Sequence, residues 1–371
     1  MTESSWLNKE IGRMGGLPVE NYDVPGESVL LLAKKLGKAF EETAKLDANE
    51  NFMLPRDLVM SKLRELSKFL DTRLYPLDQQ LRLFEALEGY TGAHRSRIVI
   101  GNGSDELLEL LSRVFLKRGT SAISISPTFS MYKVITQTLG REFIEVPLGP
   151  GFELDVGDIL SACEKSTHVC FICSPNNPTG NQFPLEQVES LAREFNGLLV
   201  VDEAYVEFAE HSLVERIGQL NNVIILRTFS KAFGLAGLRI GYAVTSPKVA
   251  SILKRFQLPY NVNSVSLEMA LLMLHNLDQV KTGIEKVKTE RTRLIKSMTS
   301  IPHVVPYSSE ANFIFLKTTR LSARVRDALA EKAILVRCFD SLELKHHLRM
   351  TIGTKEMNER FLKTLREIAL V

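Results

Sequence analysis

Leu198-Leu-Val-Val-Asp-Glu-Ala-Tyr205 and Val223-Ile-Ile-Leu-Arg-Thr-Phe-Ser-Lys231 decide the fold. Each opens on a continuously apolar run and then turns abruptly polar. Such a run suits a strand covered on both faces, whereas a half-solvated strand would alternate. Outward from these two, short β-branched runs recur at 97–101, 122–126, 143–146, 169–174 and 239–245, and helical patterns such as 107–116 and 185–194 lie between several of them. Strand, helix, strand in series predicts an α/β fold, with a large domain built on a mostly parallel, doubly wound sheet.

The texture changes after about residue 262. A long helical pattern over 264–298 is followed by a strand at 312–317, a helix at 321–332, strands near 334–337 and 348–352, and a last helix from about 355. This predicts a second, smaller α+β domain. The expected division is an N-terminal arm and linker helix over 1–44, a large domain over 45–262 and a small C-terminal domain over 263–371.

Composition narrows the function classes. The 371 residues are 44% hydrophobic and 24% charged, values of an ordinary globular chain. A formal net charge of +2, with no basic stripe, argues against a nucleic-acid partner. No apolar run approaches the roughly 18 residues that span a bilayer, so no membrane partner is expected. Met1 to Glu10 lacks a charged-then-apolar signal pattern, and four cysteines make no disulfide framework, so a reduced, cytoplasmic protein is expected. Cys170 and Cys173 have the spacing of a metal or redox pair. They sit in the apolar run His168-Val-Cys-Phe-Ile-Cys-Ser174 without a second such pair or nearby His pair, so a core strand is the better reading and no metal is expected.

In open α/β sheets, ligands bind beyond the carboxyl ends of the strands. Four polar segments follow predicted strands: Gly101-Asn-Gly-Ser-Asp-Glu106, Pro175-Asn-Asn-Pro-Thr-Gly180, Asp202-Glu-Ala-Tyr205 and Phe229-Ser-Lys-Ala-Phe-Gly234, the last with Arg239 beyond it. The first reads equally as a glycine turn capped by Ser104 or as a phosphate seat at a helix N-terminus. In the second reading the contacts come from backbone and the Ser104 hydroxyl, because Asp105 and Glu106 side chains would repel an anion. Asp202 ends an apolar strand. A carboxylate buried there wants a cation, a ligand or a capping role on the next helix. Lys231 could be a solvated lysine. As a nucleophile it needs burial or a neighbouring positive charge to release its proton near neutral pH.

Ser174-Pro-Asn-Asn-Pro-Thr-Gly180, Asp202-Glu-Ala-Tyr205 and Ser230-Lys-Ala-Phe-Gly-Leu-Ala-Gly-Leu-Arg239-Ile-Gly-Tyr242 resemble the signatures of the class I/II pyridoxal-phosphate aminotransferases of fold type I, in matching order over about 45–371. Within that class the chain most resembles the histidinol-phosphate aminotransferases. The further pieces are Tyr22-Asp-Val-Pro-Gly-Glu27, Leu46-Asp-Ala-Asn-Glu-Asn51, Tyr75-Pro76, Gly101–Glu106, Arg227-Thr-Phe-Ser-Lys231, Leu258-Pro-Tyr-Asn-Val262 and Leu348-Arg-Met-Thr-Ile-Gly353.

The resemblance implies transamination between histidinol phosphate and 2-oxoglutarate, with glutamate as product, by a homodimer using pyridoxal 5'-phosphate in histidine biosynthesis. It implies that Lys231 binds the cofactor covalently and later moves the proton at the substrate's α-carbon. Asp202 would pair with the pyridine nitrogen, Asn177 and Tyr205 with the phenolic oxygen, and Phe129 would stack on the ring. Ser104, the Asp105 backbone, Thr228, Ser230 and Arg239 would hold the cofactor phosphate, with Tyr75 reaching it from the other subunit. Arg349 and Arg337 would grip the substrate's distal acid group, with Tyr22 joining from the partner's arm. Two positions depart from the family pattern: Phe129 stands where tyrosine is frequent, and Phe52 follows Asn51 where proline is frequent. Three other readings share parts of this pattern: an aromatic or broad-specificity aminotransferase, a lyase such as the threonine-phosphate decarboxylases, and a cofactor-binding sensor domain of a transcription regulator. The last carries an added DNA-binding domain, for which this length is expected to leave no room.

Overall fold

The computed structural model describes residues 5–16, 28–339 and 341–370. Two sheets organise them. The strands are β1 (Ala44–Leu46), β2 (Ile98–Gly101), β3 (Ser121–Ser126), β4 (Glu142–Pro147), β5 (Thr167–Cys173), β6 (Leu198–Asp202), β7 (Val223–Thr228), β8 (Gly241–Thr245), β9 (Val304–Pro306), β10 (Phe313–Thr318), β11 (Ile334–Cys338) and β12 (His347–Thr351). The larger sheet has seven strands in the order β2-β8-β7-β6-β5-β3-β4, and the smaller has five in the order β1-β11-β12-β10-β9. In the larger sheet β4, β3, β5, β6 and β7 run parallel and only β8 is reversed, so the α/β expectation of a mostly parallel sheet holds.

The apolar runs behave as strands buried on both sides. Leu199 and Val201 of β6 and Val223 and Ile225 of β7 join one core, while Leu198, Val200, Ile224 and Leu226 join another on the opposite face. Helix Leu185–Glu194 packs Val188 and Leu191 into the first core; helix Gly103–Phe115 packs Leu107 and Leu111 into the second. Cys170 and Cys173 follow the same alternation. Three residues apart on β5, they enter opposite cores and cannot share a metal ion. All four cysteines are free.

Three expectations needed correction. The pattern over 264–298 forms two helices, Ser264–Leu274 and Leu277–Thr299. The first is buried nearly all round against helices Arg56–Leu66 and Leu77–Thr91; the second is amphipathic and lies on the last helix, Lys355–Leu370. At the break, Asn276 Nδ2 donates to the carbonyl of Leu272 at 2.6 Å, competing with the backbone ladder. The strand expected from 239 starts at Gly241, because Arg239 adopts a left-handed backbone with φ 48°. The chain also enters the small sheet early. β1 pairs in parallel with β11, so the boundary placed after residue 44 falls inside a strand.

The ends of β6 and β7 are tied from behind. Glu203 and Arg227, 3% and 6% exposed, form an ion pair at 2.9 Å, and Arg227 Nη2 also donates to Ser212 Oγ at 2.6 Å. Arg227→Leu strands a buried carboxylate, a cost of about 3–5 kcal/mol. The denaturation midpoint in urea should fall accordingly. A midpoint no lower than that of the exposed variant Arg193→Leu would show that the pair does not hold these strands.

Candidate active site

Because β3, β5, β6 and β7 are parallel, Ser126, Cys173, Asp202 and Thr228 end on one edge of the sheet. The register adds the glycines: Gly241 pairs with Gly101 on one side and with Thr228 on the other. Between this edge and the small sheet lies a cavity of about 700 Å³. Its walls bring together Ser104, Asp105, Phe129, Asn177, Asp202 and Tyr205 with Thr228, Ser230, Lys231, Arg239, Arg337 and Arg349. Tyr75 stands apart from it, 76% exposed, its ring stacked on Tyr260 at 4.4 Å. Tyr22 lies outside the described residues.

One end of the cavity is an anion seat. Helix Gly103–Phe115 begins there, directing the N–H groups of its first turn outward. Gly103 has φ +81°, and a Cβ on it would meet Arg239 Nη2 at 2.8 Å. A Cβ on Gly241 would lie 2.7 Å from the Ser104 nitrogen, so strand and helix end touch only because this position is bare. The acidic side chains of the turn are engaged elsewhere. Asp105 Oδ2 accepts from Arg239 Nη2 at 2.7 Å, and the Glu106 carboxylate accepts from the Asn102 nitrogen and from Asn261. Ser230 donates its backbone N–H to Thr228 Oγ1 at 3.1 Å, while its own hydroxyl oxygen is buried with no hydrogen-bond partner among the described residues.

The middle holds the titratable groups. Asp202 is 3% exposed. Oδ2 accepts from the Tyr132 hydroxyl at 2.8 Å and Oδ1 from the Ala204 nitrogen at 3.1 Å. Burial pushes its carboxyl up to about 6, against the pull of these two bonds. Lys231 donates to the Ala48 carbonyl at 2.9 Å and lies over the Tyr205 ring at 5.8 Å. Burial, with Arg349 adding to it, brings its ammonium down to about 8. Tyr205 accepts from Asn49 Nδ2 at 3.0 Å, and burial raises its hydroxyl above the ordinary tyrosine range. Phe129 sits edge-on to Tyr132 at 5.5 Å.

The far end carries two arginines. Arg337 on β11 and Arg349 on β12 are register partners, so both project from the same face of the small sheet. Arg349 Nη1 donates to Asn177 Oδ1 and Nη2 to the Asp47 carbonyl, each at 2.5 Å, with its guanidinium 5.4 Å from the Phe313 ring centre. Arg337 lies 5.9 Å from the ring of Phe339.

Sequence reading missed Tyr132, Asn49 and Asp47 as working parts. Asn49 and Asp47 lie inside the motif Leu46–Asn51, but their partners Tyr205 and Arg349 are distant in sequence. Nothing local marked Tyr132, which reads as a core residue of helix Met131–Thr138.

The residues fit pyridoxal phosphate. The seat offers helix N–H groups, Arg239 and an unsatisfied Ser230 hydroxyl for a phosphate; Asp202 is a buried acid with no cationic partner in its hydrogen bonds; Lys231 is a lysine with a lowered pKa between them.

Comparison with known proteins agrees. Residues 41–365 match the family model described as aminotransferase class I and II. A histidinol-phosphate aminotransferase of Thermoanaerobacter sp. (strain X514) is 39% identical over 329 residues, which is 88% of this chain and 93% of that protein. One from Christiangramia forsetii is 38% identical over 87% of this chain and 89% of its own. The crystal structure of histidinol-phosphate aminotransferase from Sinorhizobium meliloti, in complex with pyridoxal-5'-phosphate, superposes with a TM-score of 0.85 at 24% identity, covering 94% of this chain and 96% of that one. With a cavity fit for the cofactor on the carboxyl edge of the sheet and relatives of this identity along most of its length, the chain belongs to the class I and II aminotransferases, and within them to the histidinol-phosphate aminotransferase family.

Proposed function

We propose that this protein transfers an amino group from histidinol phosphate to 2-oxoglutarate, giving imidazole acetol phosphate and glutamate, with pyridoxal 5'-phosphate as cofactor. The observation that carries the substrate side is the Arg337–Arg349 pair facing the cavity from adjacent strands. Two guanidinium groups suit a phosphate dianion or a carboxylate, so one site can serve both donors in turn.

When bound, the cofactor supplies an electron sink for the bond broken at the substrate's α-carbon. Asp202 would keep the ring nitrogen protonated, Phe129 would cover the ring, and Asn177 and Tyr205 would bond the phenolic oxygen. Ser104, the Asp105 nitrogen, Thr228, Ser230 and Arg239 bind the cofactor phosphate. Lys231 Nζ would take the α-proton and hold it for the return transfer. Its lowered pKa makes the neutral amine available near physiological pH.

The enzyme is proposed to be a cytoplasmic homodimer. Tyr75 is exposed on the single chain, and the two segments that meet at the Tyr75–Tyr260 stack carry exposed Leu74, Leu77, Leu81, Phe256 and Leu258. A partner covering them would bring Tyr75 to the neighbouring phosphate seat; Tyr22, outside the described residues, is proposed to join at the substrate.

Borohydride treatment of the cofactor-loaded protein, followed by peptide mapping, should label Lys231. The rate at which the cofactor-free protein reacts with pyridoxal phosphate should rise with pH through a midpoint of about 8, because the neutral amine is the nucleophile. Arg349→Gln should move that midpoint upward. A midpoint near 10.5 in the wild type would mean that Lys231 is an ordinary solvated lysine.

Arg337→Ala should lower kcat/KM for histidinol phosphate about tenfold more than for glutamate, a difference of ~1.4 kcal/mol. Glutamate keeps a bidentate contact with Arg349. Equal losses for both donors remove Arg337 as a phosphate reader, and a wild type preferring phenylalanine favours a broad aromatic aminotransferase.

Mixing a Tyr75→Phe chain with a Lys231→Ala chain should restore one intact site per heterodimer. Full activity in a sample that light scattering shows to be monomeric excludes the shared site.

A further inference from the structure

Among the described residues Asp202 hydrogen-bonds to no cation, yet it must stay aimed at one atom of a ring. Its two hydrogen-bond donors divide the work: the Ala204 nitrogen holds Oδ1 from the chain's own turn, and the Tyr132 hydroxyl holds Oδ2 from a different element. Tyr132 is itself immobilised. It is fully buried, its ring stacks on Phe171 at 5.0 Å with 2° between planes, and Phe129 abuts it edge-on at 5.5 Å. Phe171 lies on β5, beside β6, so the donor is referenced to the same sheet that carries the acceptor.

We propose that Tyr132 is a positioning residue for the cofactor: its O–H fixes the Asp202 carboxylate and tilts the shared proton toward the ring nitrogen. This rests on Asp202 facing that nitrogen. The proton in an acid–pyridine pair sits on whichever member binds it more strongly. A hydrogen bond donated to the carboxylate weakens the carboxylate's hold and leaves the proton on nitrogen. A phenol suits this role because it gives a hydrogen bond while adding no charge. An arginine or lysine here would compete with the pyridinium for the same carboxylate. The remaining groups acting on Asp202 are acidic: Asp105 and Glu203 both raise its carboxyl, so Tyr132 and the Ala204 nitrogen work against burial and two carboxylates together. Phe129 gains a second function. By packing edge-on to Tyr132 it links the face that covers the ring to the bond that aims the acid.

The test is Tyr132→Phe, which removes one oxygen and keeps the stack. With pyridoxal phosphate labelled by 15N at the ring, bound to the dimeric holoenzyme, the nitrogen resonance should move toward its unprotonated position. In the cofactor-free protein the Asp202 carboxyl, followed by 13C, should titrate at least about one unit higher than in the wild type. Incorporating 3-fluorotyrosine at 132, a stronger donor of nearly the same volume, should move both signals the other way, and this arm remains if the phenylalanine variant folds poorly. An unchanged 15N signal in both variants overturns the proposal. A double-mutant cycle separates it from simple packing: in an Asp202→Asn background, Tyr132→Phe should cause little further loss of cofactor affinity. Equal losses in both backgrounds mean that Tyr132 only fills space. If Asp202→Asn alone leaves the 15N signal at its wild-type position, the assignment of Asp202 itself fails, independently of Tyr132.

Discussion

A carboxylate buried at the end of a fully buried strand is the constraint around which this site is built. Asp202 cannot be solvated, and desolvation alone drives it toward its neutral form. Its hydrogen-bond donors compensate in part, a phenol on one oxygen and a backbone N–H on the other, with the cavity open in front of it. Such an unbalanced acid suits a ligand that brings a positive charge with it, as the proposed function requires.

The period of the strand distributes the rest. Asp202 faces the cavity, so Glu203 points to the other face; Thr228 faces the cavity, so Arg227 points away. The two residues turned away find each other and form the buried ion pair behind the site. One face of two adjacent strand ends is thus committed to chemistry and the other to holding those ends in register. Ser212 completes the pair behind and Tyr132 holds the acid in front, so the short polar segments after β6 and β7 are braced from other elements on both faces.

Arg349 shows how closely the parts are coupled. It bonds Asn177 and the Asp47 carbonyl, and its charge helps to lower the Lys231 ammonium. Under the proposed function, the cation that grips a substrate's acid group would therefore also prepare the nucleophile. Its position depends on both sheets, because β12 supplies the side chain, the loop after β5 supplies Asn177, and the segment after β1 supplies Asp47.

The larger sheet and its chemical edge were legible in the residues alone. Short, β-branched apolar runs between turn signals suit strands covered on both faces, and polar segments after such strands gather at one edge when the strands are parallel. The two arginines of the small sheet were singled out only by the family resemblance, Arg337 by its spacing before Arg349; that they are register partners came from the structure. Local pattern did not reveal where the helix over 264–298 breaks, because apolar periodicity continues through His275 and Asn276 while the packing partners change. It could not place β1 in the small sheet either, since a three-residue strand has no pattern of its own and is defined by β11. Packing in three dimensions was needed to join Tyr132 to Asp202, Asn49 to Tyr205 and Glu203 to Arg227. These contacts close between elements far apart along the chain, and they count because the groups are buried, a condition met only when the layers above and below are in place.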